Sequence, residues 1–197
     1  MSGKEDLRVR RTKKALYDAF IELLNQKPFD AITVNELCDT AKIRRATFYK
    51  HYSDKFDFLN AYTKVLRDRF DKIIFKNGKP ALTPDYYVAY AKRIIHFINE
   101  HSTAVHNICH SYLFPTVLSI IVQQNYKDTC ERLRISVSNG VKLPASVEMI
   151  AAMCTGGVAG CIYSWIVEDS TASPEEVAEQ VGAIVESIVY NGKCPEN

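Results

Sequence analysis

An all-α fold follows from three features of the 197-residue chain. Apolar residues recur at spacings of three and four through most of its length. Capping residues stand where those runs begin, and no segment alternates apolar with polar as a half-buried strand would. Composition fits a globular protein with a core of useful size, at 47% apolar and 24% charged residues.

The first helix is expected over Leu7–Asn25, with Leu16, Ala19, Phe20, Leu23 and Leu24 on its apolar stripe. It opens on Arg8, Arg10, Arg11, Lys13 and Lys14, cations that oppose the helix dipole at that end. A solvated helix start explains them, and so does contact with phosphate. Pro28 ends the region, and Phe29 to Ile32 leads into a capping box, Thr33-x-x-Glu36. Val34, Leu37, Cys38, Ala41 and Ile43 then mark one buried face. A second short helix, about Arg44 to Lys50, turns Phe48 and Tyr52 inward and Arg45, Thr47, Tyr49 and Lys50 outward. Two helices joined by a tight turn, the second exposing basic and hydroxyl groups, form a helix-turn-helix arrangement.

Asp54 caps a fourth helix that reaches about Phe75, with Phe58, Leu59, Tyr62, Leu66, Phe70 and Ile73 on one side. Asn77-Gly78-Lys79-Pro80 stops it. Thr83 and Pro84 start a helix to about Glu100, a short helix covers Ser102–Ser111, and Pro115 opens another to about Val137, closed by Ser138-Asn139-Gly140. Pro144–Val167 is apolar and rich in small residues. Ser173-Pro174-Glu175-Glu176 is a second capping box, opening a helix to about Tyr190.

The run Ile43-Arg44-Arg45-Ala46-Thr47-Phe48-Tyr49-Lys50-His51-Tyr52, followed by Ser53-Asp54-Lys55, resembles the DNA-binding signature of the TetR family of transcriptional regulators. The matching positions are Ala46, Thr47-Phe48-Tyr49, Tyr52 and Lys55. The helix carrying Ala15, Phe20 and Leu23 and the link Phe29-Asp30-x-Ile32-Thr33-Val34 are similar too. Two positions depart from the pattern: Lys42 stands where the turn usually holds Gly, and Arg44 where the second helix usually opens on a capping hydroxyl.

The resemblance implies a helix-turn-helix DNA-binding domain over residues 1–55 and an all-helical effector-binding and dimerisation domain over 56–197. It implies phosphate contacts from Thr47, Tyr49 and Lys55. Arg45 and Lys50 lie where base edges can be reached, Arg45 is suited to guanine, and Arg44 belongs to the same DNA-binding set. Thr33 and His51 complete the expected DNA set. The expected partner is double-stranded DNA, bound by a homodimer on a palindromic operator, and the expected role is that of a ligand-responsive repressor. An activator or coactivator governed by a partner protein is the alternative within the same class. An all-helical enzyme or small-molecule binding protein is the alternative from another. Against the enzyme stand the missing Gly-rich phosphate loop, the missing nucleophile elbow and the scattered carboxylates Asp85, Glu100 and Asp128.

The charge distribution agrees with the DNA reading. Residues 1–55 hold 12 Lys/Arg against 8 Asp/Glu, and residues 56–197 hold 13 against 15, so the net +2 conceals a basic first part. Gly156, Gly157 and Gly160, with Val177, Val181, Ile184, Val185 and Ile188, are the expected dimer face. Completion of the protomer's own core is the other account of those residues. An effector pocket is expected around Tyr90, His96, His106, His110, Tyr112 and Trp165, although ordinary helical packing explains the neighbouring apolar residues as well. No cofactor and no metal are expected: His106 and His110 share a helix face beside Cys109, but two ligands do not make a metal centre. The six cysteines, 38, 109, 130, 154, 161 and 194, are expected to be reduced and mostly buried. The charged N-terminus has no apolar signal region and no bilayer-length apolar run is expected, so the expected location is cytoplasmic.

Overall fold

The computed structural model describes residues 7–74, 84–168 and 171–190. Among these the chain is helical and without strands. The helices are α1 (Leu7–Leu24), α2 (Val34–Thr40), α3 (Arg45–Tyr49), α4 (Lys55–Ile74), α5 (Pro84–Glu100), α6 (Ser102–Cys109), α7 (Phe114–Ser138), α8 (Val147–Val167) and α9 (Pro174–Tyr190), with one 3-10 turn at Phe29–Ala31. The expected stop at 77–80, the Thr83 cap and Cys194 lie outside the described residues.

Compactness divides the chain into two units. The first is 1–63 with 101–119, and the second is 64–100 with 120–197. Each is therefore discontinuous, whereas the domain division at residue 55 expected from the sequence is contiguous.

The first unit is built on aromatic rings. Phe20, Phe29, Phe48 and Phe58 are almost wholly buried, and Tyr17, Tyr52 and Tyr62 close around them. Phe58 meets Phe20 edge-on at 5.3 Å and Tyr52 edge-on at 5.2 Å, while Tyr17 lies 5.2 Å from Tyr62. Such pairs each add about 0.5–1.5 kcal/mol beyond the area they bury. The cluster unites α1, α3 and α4 around the 3-10 turn, so the short α3 is held by packing. A five-residue helix has no independent stability.

In the second unit, α9 packs most extensively against α5 and also against α8. Ile95, Val177, Ala178 and Val181 form one buried group, and Cys130, Leu133, Ile150, Ala151, Cys154 and Val185 form another. A polar network runs beside them. Buried Arg67 donates to Asn125 Oδ1 at 2.5 Å and pairs with Asp128 at 3.2 Å. Tyr90 donates its hydroxyl to the same Asn125 oxygen at 3.0 Å and lies under the Arg67 guanidinium, and Arg132 pairs with Asp71. Burial pushes the Tyr90 hydroxyl pKa up.

One expectation is corrected here. The sequence does contain a helix long and apolar enough to cross a membrane by length and composition, the 21-residue α8, in which only 17% of the most apolar window is buried. Glu148 at its start is the last charged residue before Glu168, and the run between them is uncharged although broken by small residues.

Candidate nucleic-acid interface

The reading face is assembled from local rules. Thr33 caps α2 through a full capping box: its hydroxyl accepts from the Glu36 amide at 3.2 Å, and Glu36 accepts from the Thr33 amide at 3.0 Å. The Thr33 hydroxyl also donates to Glu36 at 2.8 Å, so both Thr33 donors are engaged. Lys27 pairs with Glu36 at 2.5 Å. That hydrogen bond, followed by those from Thr33, lowers the Glu36 carboxyl from an ordinary 4.5 to about 2.

The turn after α2 is a Schellman motif. The Ile43 amide donates to Cys38 O at 2.9 Å and the Lys42 amide to Asp39 O at 3.1 Å. Lys42 holds the left-handed position at φ 55°, the only described non-glycine residue with positive φ. The strain anticipated for a side chain in place of glycine is thus present. Arg44 caps α3 without a side-chain hydrogen bond, as the absence of a hydroxyl there requires.

From this scaffold α3 buries Phe48 completely and leaves Tyr49 56% exposed. Arg44, Arg45 and Lys50 are exposed, while Thr47 and His51 are half-buried. Thr33 is exposed on the neighbouring helix start. Cationic, hydroxyl and aromatic groups thus share one outward face, the chemistry that phosphates and base edges call for. Lys55 differs from the rest of the set. Its ammonium donates to the carbonyls of Phe29, Asp30 and Ile32 at 3.1, 3.1 and 3.0 Å.

The other expected sites fare unevenly. His106, His110 and Tyr112 belong to the first compact unit; Tyr90, His96 and Trp165 belong to the second. His96, His106, His110 and Tyr112 are exposed, Tyr112 by 78%, which corrects the expectation that they line an interior pocket. His96 faces Glu100 at 3.1 Å, and Trp165 donates to Ala172 O at 3.1 Å. The His106 and His110 rings stack 3.9 Å apart. No group of three or more His, Cys, Asp or Glu suited to a metal occurs among the described residues.

On the expected dimer face, Val177, Val181 and Val185 are buried within the protomer, which removes them from any face a partner could touch. Their spacing of four puts them on the inward side of α9. Ile188 is half-buried against the same core, whereas Ile184 is 53% exposed. Gly156, Gly157 and Gly160 are exposed, with open space where a Cβ would stand. Met149, Met153, Tyr163 and Val167 extend that exposed surface along α8. Cys38, Cys130 and Cys154 are free and buried, Cys109 is free and half-buried, and Cys161 is free and exposed.

Sequence reasoning missed the polar network of Arg67, Asn125 and Asp128 and the buried Ser111. A signal existed for Arg67, a charge set three residues before Phe70 and eight after Leu59 on the apolar side of α4. Nothing comparable marks Ser111, whose partners are distant in sequence.

Comparison with known proteins adds to this geometry. The family described as bacterial regulatory proteins, tetR family, matches residues 13–62, and a transcriptional regulator C-terminal region matches residues 85–187. YxbF of Bacillus subtilis (strain 168), an uncharacterised HTH-type transcriptional regulator, is 44% identical over 55 residues, 27% of this chain and 14% of that protein. DhaS of Lactococcus lactis subsp. lactis (strain IL1403), an HTH-type activator of the dhaKLM operon, is 30% identical over 71 residues, 34% of this chain and 38% of its own. The matches thus span well under half of these curated relatives. Over nearly the whole chain the fold is similar to that of a regulator assigned to the TetR family from Syntrophomonas wolfei, with a TM-score of 0.68, 14% identity, and 95% and 99% of the two chains covered.

Proposed function

This chain belongs to the TetR family of bacterial transcriptional regulators, and we propose on that premise that it reads a two-fold symmetric operator as a homodimer and represses transcription until an effector binds. The observation that carries the reading is the exposed face of Arg44, Arg45, Tyr49 and Lys50 on a helix pinned from behind by Phe48. Arg45 and Lys50 reach base edges, and Arg44, Thr47, Tyr49 and His51 hold phosphates, whereas the amide and hydroxyl of Thr33 are engaged by Glu36. A helix this short spans few base pairs, so two copies are needed for useful specificity. The uncovered apolar surface of α8, continued by Ile184, supports pairing through α8 and α9. DNA as partner places the protein in the cytoplasm. An effector acts only through its different affinities for the DNA-binding and non-binding arrangements.

Selection of bound sequences from a random duplex pool tests the reading. The expected product is a symmetric consensus with half-sites about one helical turn apart, or a multiple of it. An enriched site with no symmetry rejects the dimer, and no enrichment at all rejects operator recognition. Activation is the second reading, supported by the similarity to DhaS. In vitro transcription from a promoter carrying the selected site separates the two by the sign of the change.

A further inference from the structure

Lys55 opens α4 directly after the reading helix, a place where family resemblance implies a phosphate contact. Its ammonium is directed elsewhere. Three carbonyls, of Phe29, Asp30 and Ile32, take its donors at 3.0–3.1 Å, and an ammonium has three. The nitrogen also lies 4.8 Å from the centre of the Phe29 ring and 5.9 Å from that of Phe56.

The same 3-10 turn is gripped by a segment more than 70 residues away, within the same compact unit. Ser111 is buried, and its hydroxyl donates to the Asp30 carboxylate at 2.5 Å. The Ser111 hydroxyl oxygen in turn accepts from the amides of Asp30 at 3.3 Å and Leu113 at 3.1 Å. Asn107 donates to Leu24 O at 2.7 Å, at the end of α1. The turn runs directly into Thr33, the cap of α2, so fixing it fixes where α2 and α3 sit against α1.

We infer that Lys55 and Ser111 are positioning residues for the DNA-binding face: they clamp the Phe29–Ile32 turn, Lys55 through its carbonyls and Ser111 through the Asp30 amide and carboxylate, and Lys55 makes no phosphate contact of its own. The inference rests on the DNA reading of α3 proposed above. Removing Lys55 weakens binding whether it clamps or touches phosphate, but the salt dependence differs. A lysine on a phosphate contributes about 0.9 to the slope of log K against log salt, and a clamp contributes nothing.

The test uses the full chain, the selected duplex and binding isotherms over a range of salt, at a temperature where circular dichroism shows each variant folded. Lys55→Met and Ser111→Ala are each expected to lower affinity about tenfold with the slope unchanged, and to speed amide exchange over residues 45–49, an effect that lost global stability alone does not confine to α3. A slope reduced by about 0.9 per protomer in Lys55→Met overturns the inference. Unchanged affinity in both variants also overturns it. Should Lys55→Met fail to fold, Ser111→Ala, which removes a single oxygen, decides by affinity and exchange. Should the unsubstituted protein select no duplex, the operator reading has failed on its own. Exchange over residues 45–49 in free Ser111→Ala then decides the clamp, with faster exchange upholding it and unchanged exchange rejecting it.

Discussion

Single residues at the reading head separate positioning from recognition. Lys42 sits at φ 55° in a Schellman turn where glycine is the ordinary occupant. A side chain costs roughly 1–2 kcal/mol in that conformation, and glycine returns about half of it through the greater freedom of the unfolded chain. Lys42→Gly is therefore expected to stabilise the protein by about 1 kcal/mol, a rise of about 2–4 °C in Tm for a chain of this size. A fall in Tm would mean the lysine side chain contributes contacts that outweigh the strain. On the exposed face, Arg45→Ala removes a group suited to guanine and should relax sequence preference at one base pair per half-site, by about 1–3 kcal/mol of discrimination. Tyr49→Ala should weaken binding to all duplexes about equally. Competition binding with the operator and its single-base variants distinguishes these outcomes, and an unchanged profile in both variants removes α3 from the interface.

At the scale of elements, the start of α2 carries a titratable cap. The Lys27 bond, with Thr33, holds the Glu36 carboxyl at about 2 against an ordinary 4.5. A depressed carboxyl stabilises the folded state above its unfolded pKa and ceases to do so as pH falls through its folded one. The Tm advantage of the protein over Glu36→Gln should thus be full near neutrality and shrink as pH is lowered from about 4.5 to about 2. A gap constant across that window would show that charge on Glu36 contributes nothing to the cap. Both capping boxes were legible in the sequence because they are four-residue patterns, and the ends of α2 and α9 agree with them. The seat of α3 was less legible. Its own residues specify only a turn or two of helix, and the rings of Phe58 and Tyr52 hold Phe48 in place.

For the whole molecule, the unresolved question in the sequence was what the last two helices face. The family resemblance and the small residues of α8 pointed Val177, Val181 and Val185 toward a partner, and the structure places them in the protomer's own core, the alternative their period left open. The exposed side of α8 is left uncovered, with nothing beyond its own helix within 4 Å of a Cβ placed on Gly160. Gly160→Ala should accordingly stabilise an isolated protomer by roughly 1 kcal/mol through helix propensity. In a dimer packed closely at this point the same methyl group should weaken association about tenfold or more. Sedimentation of the variant against the unsubstituted protein reads the difference, and an unaltered dimer constant places the interface elsewhere.

The sequence by itself determined the all-helical class, the order and approximate ends of the helices, and the reading motif. Each is set by contacts among residues a few positions apart, which a linear pattern records. Tertiary structure alone decided which of several equivalent apolar faces is buried, that Arg67 enters the interior with Asn125 and Asp128, and that the Lys55 ammonium turns to three carbonyls while Ser111 holds the same turn. Those outcomes depend on partners brought together from 23 to 81 positions away, and on donors whose direction no spacing rule encodes.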